Sequence, residues 1–339
     1  MNTKTLALTL LLPLAVGCPT DPEPEPTPDP TPEPARCDPD AYEALPVEFE
    51  RIDGIVSAED FALAPDGGLF SIDEDGNFIR NPPGGGSPEV ISPGVTTESA
   101  GITWMPDGKV VVADVSRGAL LLVDPETGGS SPILSGLSYP NGVEVHRDGW
   151  IVVAEQDAGQ VRRVDPYTGD FVVLATGLFA PNGVTFSPDW ETAYVGSFGG
   201  GTVHAIPLDE DGAAGPAEEY ASTGEGWDGD DDWDDWDQDD WGEDFGAGGL
   251  DGIAVDLCGY VYVTVYEAGG EGNILRVTEQ GAEFEVVANL PAGWVPNMEF
   301  GHGNGGYDAR TLYVNTRDQD SIFALSIGAL GRPRADAGR

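Results

Sequence analysis

Residues 140–149 read PNGVEVHRDG and residues 181–190 read PNGVTFSPDW, two near-copies set 41 residues apart. One further step of 41 upstream lies SAGITWMPDG at 99–108, and another brings AEDFALAPDG at 58–67. Downstream, LDGIAVDLCG at 250–259 and PNMEFGHGNG at 296–305 restart the same phrase. Each copy is a short apolar-rich stretch that ends in a turn signal such as Asp107-Gly108 or Asp148-Gly149. Six copies at a period near forty, each followed by further short alternating runs, predict an all-β, six-bladed β-propeller. The second residue of each copy forms a column: Glu59, Ala100, Asn141, Asn182, Asp251 and Asn297. A propeller gathers the starts of its innermost strands at one end of a central channel, so these residues are expected to converge.

Blade 3 shows the expected unit: strands over Gly142–Val145, Trp150–Ala154, Gln160–Val164 and Phe171–Ala175, with Tyr167-Thr168-Gly169 as a turn. The sixth copy runs out after three strands. The segment Val47–Ile52, ahead of the first copy, is predicted to supply the missing outer strand and so remove an open sheet edge. The expected organisation is a signal segment over 1–17, a linker over 18–44, the propeller over 45–333 and a tail over 334–339.

The signal is an apolar run from Leu6 to Val16 behind Lys4, too short to span a bilayer. It ends in Ala15-Val16-Gly17-Cys18, which resembles the lipobox of bacterial lipoproteins and implies acylation at Cys18. The expectation is an exported monomer held on the cell envelope, at the outer membrane, by that anchor alone. The Pro, Thr, Asp and Glu of 19–34 favour an extended spacer. Cys37 and Cys258 remain in the folded region, and an exported pair of cysteines invites a disulfide, with two unpaired thiols as the alternative.

Fifteen basic residues against 60 acidic ones give a net charge of −45, which argues against a nucleic-acid partner. It points instead to hard cations. From Asn182 to Asp251 the step lengthens to 69 residues, and the excess carries an acidic insert at 223–248. Its core, 225–244, holds twelve carboxylates and Trp227, Trp233, Trp236 and Trp241. It reads as a loop on the column face, either a solvated insertion or a flap beside the channel.

Within the column, Glu59, Asn141, Asn182 and Asp251 form an oxygen-only set suited to a divalent cation. Ca²⁺ is the first choice, with Mg²⁺, Mn²⁺ or Zn²⁺ as alternatives. The same residues resemble the senescence marker protein, gluconolactonase and regucalcin family of six-bladed propellers. Its metal ligands are a Glu, an Asn, an Asn and an Asp from blades 1, 3, 4 and 5. EDFALAPDG at 59–67, PNGVTFSPD at 181–189, LDGIAVD at 250–256 and GGYDARTLYV at 305–314 look like family segments. The resemblance implies metal-dependent hydrolysis of a lactone or related cyclic ester, with Asp251 as both ligand and general base.

Tyr139 stands where many sugar-lactone hydrolases of the family carry an Arg, and Asp60-Phe61 replace a common Gly-Pro. Tyr139 and Asn297 are therefore positions for substrate contact, and Asp114 and Glu155, at the ends of their strands, are candidate supports behind the ligands. No serine elbow or catalytic-cysteine pattern is present. The rival reading is a non-catalytic calcium-binding surface propeller that acts as a binding module.

Overall fold

The computed structural model describes residues 36–224, 249–266, 272–317 and 319–335. Cys18, the 1–35 segment and the acidic insert from 225 to 248 lie outside the described residues. The first strand, β1 (Phe49–Asp53), waits for the end of the chain to find its partner. Blade 1 then follows with β2 (Phe61–Leu63), β3 (Leu69–Ile72), β4 (Phe78–Asn81) and β5 (Glu89–Ser92). Blade 2 has β6 (Ser99–Trp104), β7 (Val110–Asp114), β8 (Ala119–Val123) and β9 (Ser130–Ser135). Blade 3 has β10 (Pro140–Val145), β11 (Ile151–Glu155), β12 (Gln160–Val164) and β13 (Phe171–Thr176).

Blade 4 comprises β14 (Pro181–Phe186), β15 (Thr192–Ser197), β16 (Thr202–Pro207) and β17 (Glu218–Ser222). Blade 5 comprises β18 (Gly249–Val255), β19 (Val261–Tyr266), β20 (Gly272–Val277) and β21 (Glu285–Leu290). Blade 6 has only β22 (Met298–Phe300), β23 (Thr311–Asn315) and β24 (Ser321–Ser326). Its fourth strand is β1, antiparallel to β24 from Phe49 opposite Leu325 to Asp53 opposite Ser321. The N-terminal strand thus closes the ring, starting two residues and ending one residue further along than the expected Val47–Ile52.

Burial follows from this layout. Four-stranded antiparallel sheets present two apolar faces, and each face packs on the next blade. Six hydrophobic clusters result among the described residues, one at each blade interface. Between blades 2 and 3, Val111 and Ala113 meet Val143, Val145 and Val153. Between blades 6 and 1, Tyr307 and Tyr313 meet Ile55, Phe61 and Leu63. Each large aliphatic side chain fully withdrawn from water contributes ~1.5–3 kcal/mol, so the interfaces hold the ring together.

Inner strands approach most closely beside the column. A Cβ on Gly101 would lie 2.6 Å from the Asn141 carbonyl oxygen, and one on Gly183 2.5 Å from that of Asp251. No real side chain fits there, which explains the glycine that follows Ala100, Asn141, Asn182 and Asp251. Blade 1 has Asp60 at this place. Its Oδ2 accepts a hydrogen bond from the Ile102 backbone N–H at 2.7 Å, so a carboxylate bridges the gap that closer packing fills elsewhere.

The face opposite the column is secured by both ends of the described chain. Cys37 and Cys258 form a disulfide, and the Tyr42 hydroxyl donates to Asp256 Oδ2 at 2.8 Å. Tyr42 stacks on Tyr260, with the Arg276 guanidinium over both rings. The C-terminal segment crosses the same face. Arg332 N–H donates to the Val255 carbonyl, and the Arg334 guanidinium donates to that of Leu63. Arg332 pairs with Glu144 at 3.2 Å and lies over Trp190, 4.1 Å from the ring centre. Arg332, Arg334 and Ala335 line the channel together with inner strands of all six blades, so two of the residues assigned to a tail belong to the propeller.

Candidate functional site

In blades 2 to 5 the inner strand carries a β-bulge at the column: the register slips between Ser99 and Ile102, Pro140 and Val143, Pro181 and Val184, and Leu250 and Ile253. A bulge releases one residue from the ladder and re-aims its side chain. Ala100, Asn141, Asn182 and Asp251 occupy these bulges at the strand starts. The approach to two of them is unusual. Tyr139 and Ala180 hold φ of 50° and 46°, a left-handed backbone that non-glycine residues rarely adopt. Each precedes a proline and turns the chain into β10 or β14, and such strain of about 1–3 kcal/mol clusters at functional sites.

The structure gathers Glu59, Asn141, Asn182 and Asp251 into one neighbourhood. Asn141, Asn182 and Asp251 are buried, and the Glu59 side chain is only 16% exposed. Asn182 donates a side-chain hydrogen bond to Asp251, and the Asp251 and Glu59 carboxylates are close enough to repel. The Asn141 amide nitrogen donates to Gln156 Oε1 at 2.8 Å, which commits the nitrogen and leaves the amide oxygen for a ligand. Burial pushes the Glu59 carboxyl up to about 7, against the opposing pull of the Arg317 guanidinium. Burial likewise raises Asp251 well above the carboxylate range, Glu59 adds to it, and the Trp294 N–H opposes it.

Two buried carboxylates facing each other form a site short of positive charge. A hard divalent cation fits that donor set, because it would offset both the desolvation and the mutual repulsion. No group of three or more His, Cys, Asp or Glu side chains capable of holding a metal occurs among the described residues. The candidate set therefore depends on its two amide oxygens as much as on its two carboxylates.

The remaining expectations are distributed around this centre. The Tyr139 hydroxyl lies at the mouth, its pKa raised by burial and by the charges of Glu98 and Glu59. Asn297 lines the channel, but its Oδ1 accepts from the Met298 N–H at 2.8 Å. Asp114 accepts hydrogen bonds from Thr96, Ser116 and Arg117. Glu155, 41 residues on, accepts from Ser138 N–H and pairs with Arg162. Both carboxylates are wholly buried and brace the chain that leads into their blade's inner strand. Two mouth residues carry no repeat signal at all. Trp294, ahead of β22, donates through Nε1 to Asp251 Oδ2 at 3.3 Å. Arg317, after β23, donates to Glu59 Oε2 at 2.9 Å.

A family model described as an SMP-30/gluconolactonase/LRE-like region matches residues 74–318. The chain belongs to that family. The SMP-30/gluconolactonase/LRE-like match takes in Asn141, Asn182 and Asp251, while Glu59 lies upstream of it and joins them through the fold.

Solved structures are similar in fold. A gluconolactonase from Xanthomonas campestris superposes with a TM-score of 0.62 at 18% identity, over 83% of this chain and 90% of its own. A calcium-binding regucalcin from Agrobacterium tumefaciens gives 0.62 at 19%, over 85% and 97%. A luciferin-regenerating enzyme gives 0.62 at 14%, over 85% and 98%. No curated protein sequence matches significantly.

Proposed function

We propose that the chain is a divalent-metal-dependent hydrolase of a lactone or related cyclic ester. The observation that carries this reading is the convergence of Glu59, Asn141, Asn182 and Asp251 from four blades, two of them carboxylates whose pKa burial and mutual repulsion raise. These four residues would hold the cation, Ca²⁺ by preference. When bound, it supplies Lewis acidity to the ester carbonyl and lowers the pKa of coordinated water.

The chain's own residues do the rest. Asp251 takes the proton of the attacking water, its carboxylate fixed through Oδ2 by Trp294 and steadied by Asn182. Water adds to the carbonyl carbon, the ring C–O bond breaks, and the proton ends on the departing hydroxyl to give a hydroxy acid. Gln156 fixes the Asn141 amide, and Tyr139 offers a hydroxyl at the mouth for the substrate. Turnover of a lactone panel by the purified protein, with and without chelator, tests this. Asp251→Asn should cost at least ~100-fold in kcat while the melting temperature stays near that of the wild type.

A second reading is favoured by Tyr139, which stands where many family hydrolases carry a substrate-contacting Arg. In that reading the propeller binds calcium without catalysis and serves as a surface binding module. Calcium-raised melting with no turnover of any lactone would select it. In either case we infer an exported protein, acylated at Cys18 and held on the bacterial envelope. Metabolic labelling with a radioactive fatty acid, lost on Cys18→Ser, tests the anchor.

A further inference from the structure

The two carboxylates of the mouth are linked by side chains that come from outside the repeat. Asp251 Oδ2 accepts from Trp294 Nε1 at 3.3 Å, the Arg317 guanidinium lies 4.3 Å from the centre of the Trp294 ring, and Arg317 donates to Glu59 Oε2 at 2.9 Å. The backbone closes the same link, Arg317 N–H donating to the Trp294 carbonyl at 3.2 Å. The sequence Asp251, Trp294, Arg317, Glu59 therefore runs from one candidate ligand to the other through an indole and a guanidinium.

Resting on the reading of the column as a cation site, we propose that Arg317, positioned by Trp294, is the resident counter-charge of Glu59 and sets the site's cation affinity by competing for that carboxylate. A guanidinium does not lose its proton in a protein, so this positive charge is permanent. Stacking on the indole restrains it where a flexible side chain would otherwise sample the solvent. Its surroundings are acidic: Asp73, Glu74 and Glu98 line a hollow on whose wall Arg317 sits. Glu59, Asp251 and Tyr139 all feel Arg317 as an opposing positive charge.

A cation entering this mouth has to displace one N–H from Glu59 and come to rest beside a like charge. A monovalent ion gains too little from the two carboxylates to do so, whereas a divalent ion gains twice the attraction. Arg317 thus acts as a threshold that screens ions by charge. It also keeps Glu59 paired while no cation is bound, which an unpaired buried carboxylate would not tolerate cheaply.

Calcium calorimetry on the full chain tests this without reference to turnover. Arg317→Gln should bind Ca²⁺ on the order of tenfold more tightly than the wild type. Arg317→Lys, which keeps the charge, should stay within about threefold of it. In the wild type, calcium should alter the Trp294 contribution to intrinsic fluorescence, a change lost in Trp294→Phe; this reading stands even if Arg317→Gln fails to fold. Equal or weaker binding by a folded Arg317→Gln, or emission from Trp294 that ignores calcium, overturns the proposal. If the wild type binds calcium, Asp251→Asn does not, and a folded Arg317→Gln binds no more tightly than the wild type, the proposal falls while the cation site stands. If neither the wild type nor Arg317→Gln binds calcium at millimolar concentration, the cation site and the proposal fall together.

Discussion

Asn182 does two jobs with one residue: its side chain supports Asp251, and its backbone carbonyl faces Gly142 across the blade interface. Separating them gives two predictions. Asn182→Ala removes the amide alone, so calcium affinity should fall at least ~10-fold while the melting temperature moves by little. Gly142→Ala leaves every side chain of the site in place but drives a methyl group into the Asn182 carbonyl. It should destabilise by ~1–3 kcal/mol, read as a lower midpoint of chemical denaturation. The column was legible because its members keep phase with the repeat, and a position held by the fold can be aligned without coordinates. Arg317 and Trp294 were not, since both sit on connections between strands where length and sequence vary from blade to blade. Asp60 was visible only as an oddity in place of Gly, and its bond to Ile102 N–H supplies the reason.

At the scale of the element, the bulges and the joined ends matter most. Strand periodicity predicted where β10 lies, yet it placed its start at Gly142, and β14 repeats the same motif 41 residues on. The structure begins both strands at the preceding proline, because the bulge lets the ladder resume on the far side of the Asn-Gly pair. That displacement puts Asn141 and Asn182 inside a strand start, where their side chains have fixed directions. The short segment from Cys37 to Val47 depends on different contacts: the disulfide, the Tyr42 to Asp256 hydrogen bond and the Val47 N–H to Val287 carbonyl bond. Cys37 and Cys258 stand 221 residues apart, so their link closes most of the propeller into one loop. Cys258→Ser should lower unfolding stability by ~2–4 kcal/mol, and reductant should do the same to the wild type while leaving the variant unchanged.

For the molecule as a whole, the C-terminal segment is as much a part of the propeller as any strand. Arg332 and Glu144 are both largely withdrawn from water, and burial shifts each toward its neutral form, Arg332 downward and Glu144 upward. Arg332→Met should therefore cost ~3 kcal/mol by leaving Glu144 unpaired, and Glu144→Gln in the same chain should restore much of the loss. A double-mutant cycle of denaturation midpoints measures that coupling. Sequence reading stopped the propeller at 333 because nothing after it repeats. The segment is held by charge and stacking, which leave no period to find.

Blades 1, 3, 4, 5 and 6 all touch that crossing segment, and the column stands at the other end of the channel. Traffic is consequently two-way through a single door. Under the hydrolysis proposed above, the hydroxy acid would have to back out past Tyr139 and Arg317 before another molecule could enter, so departure and arrival would exclude each other.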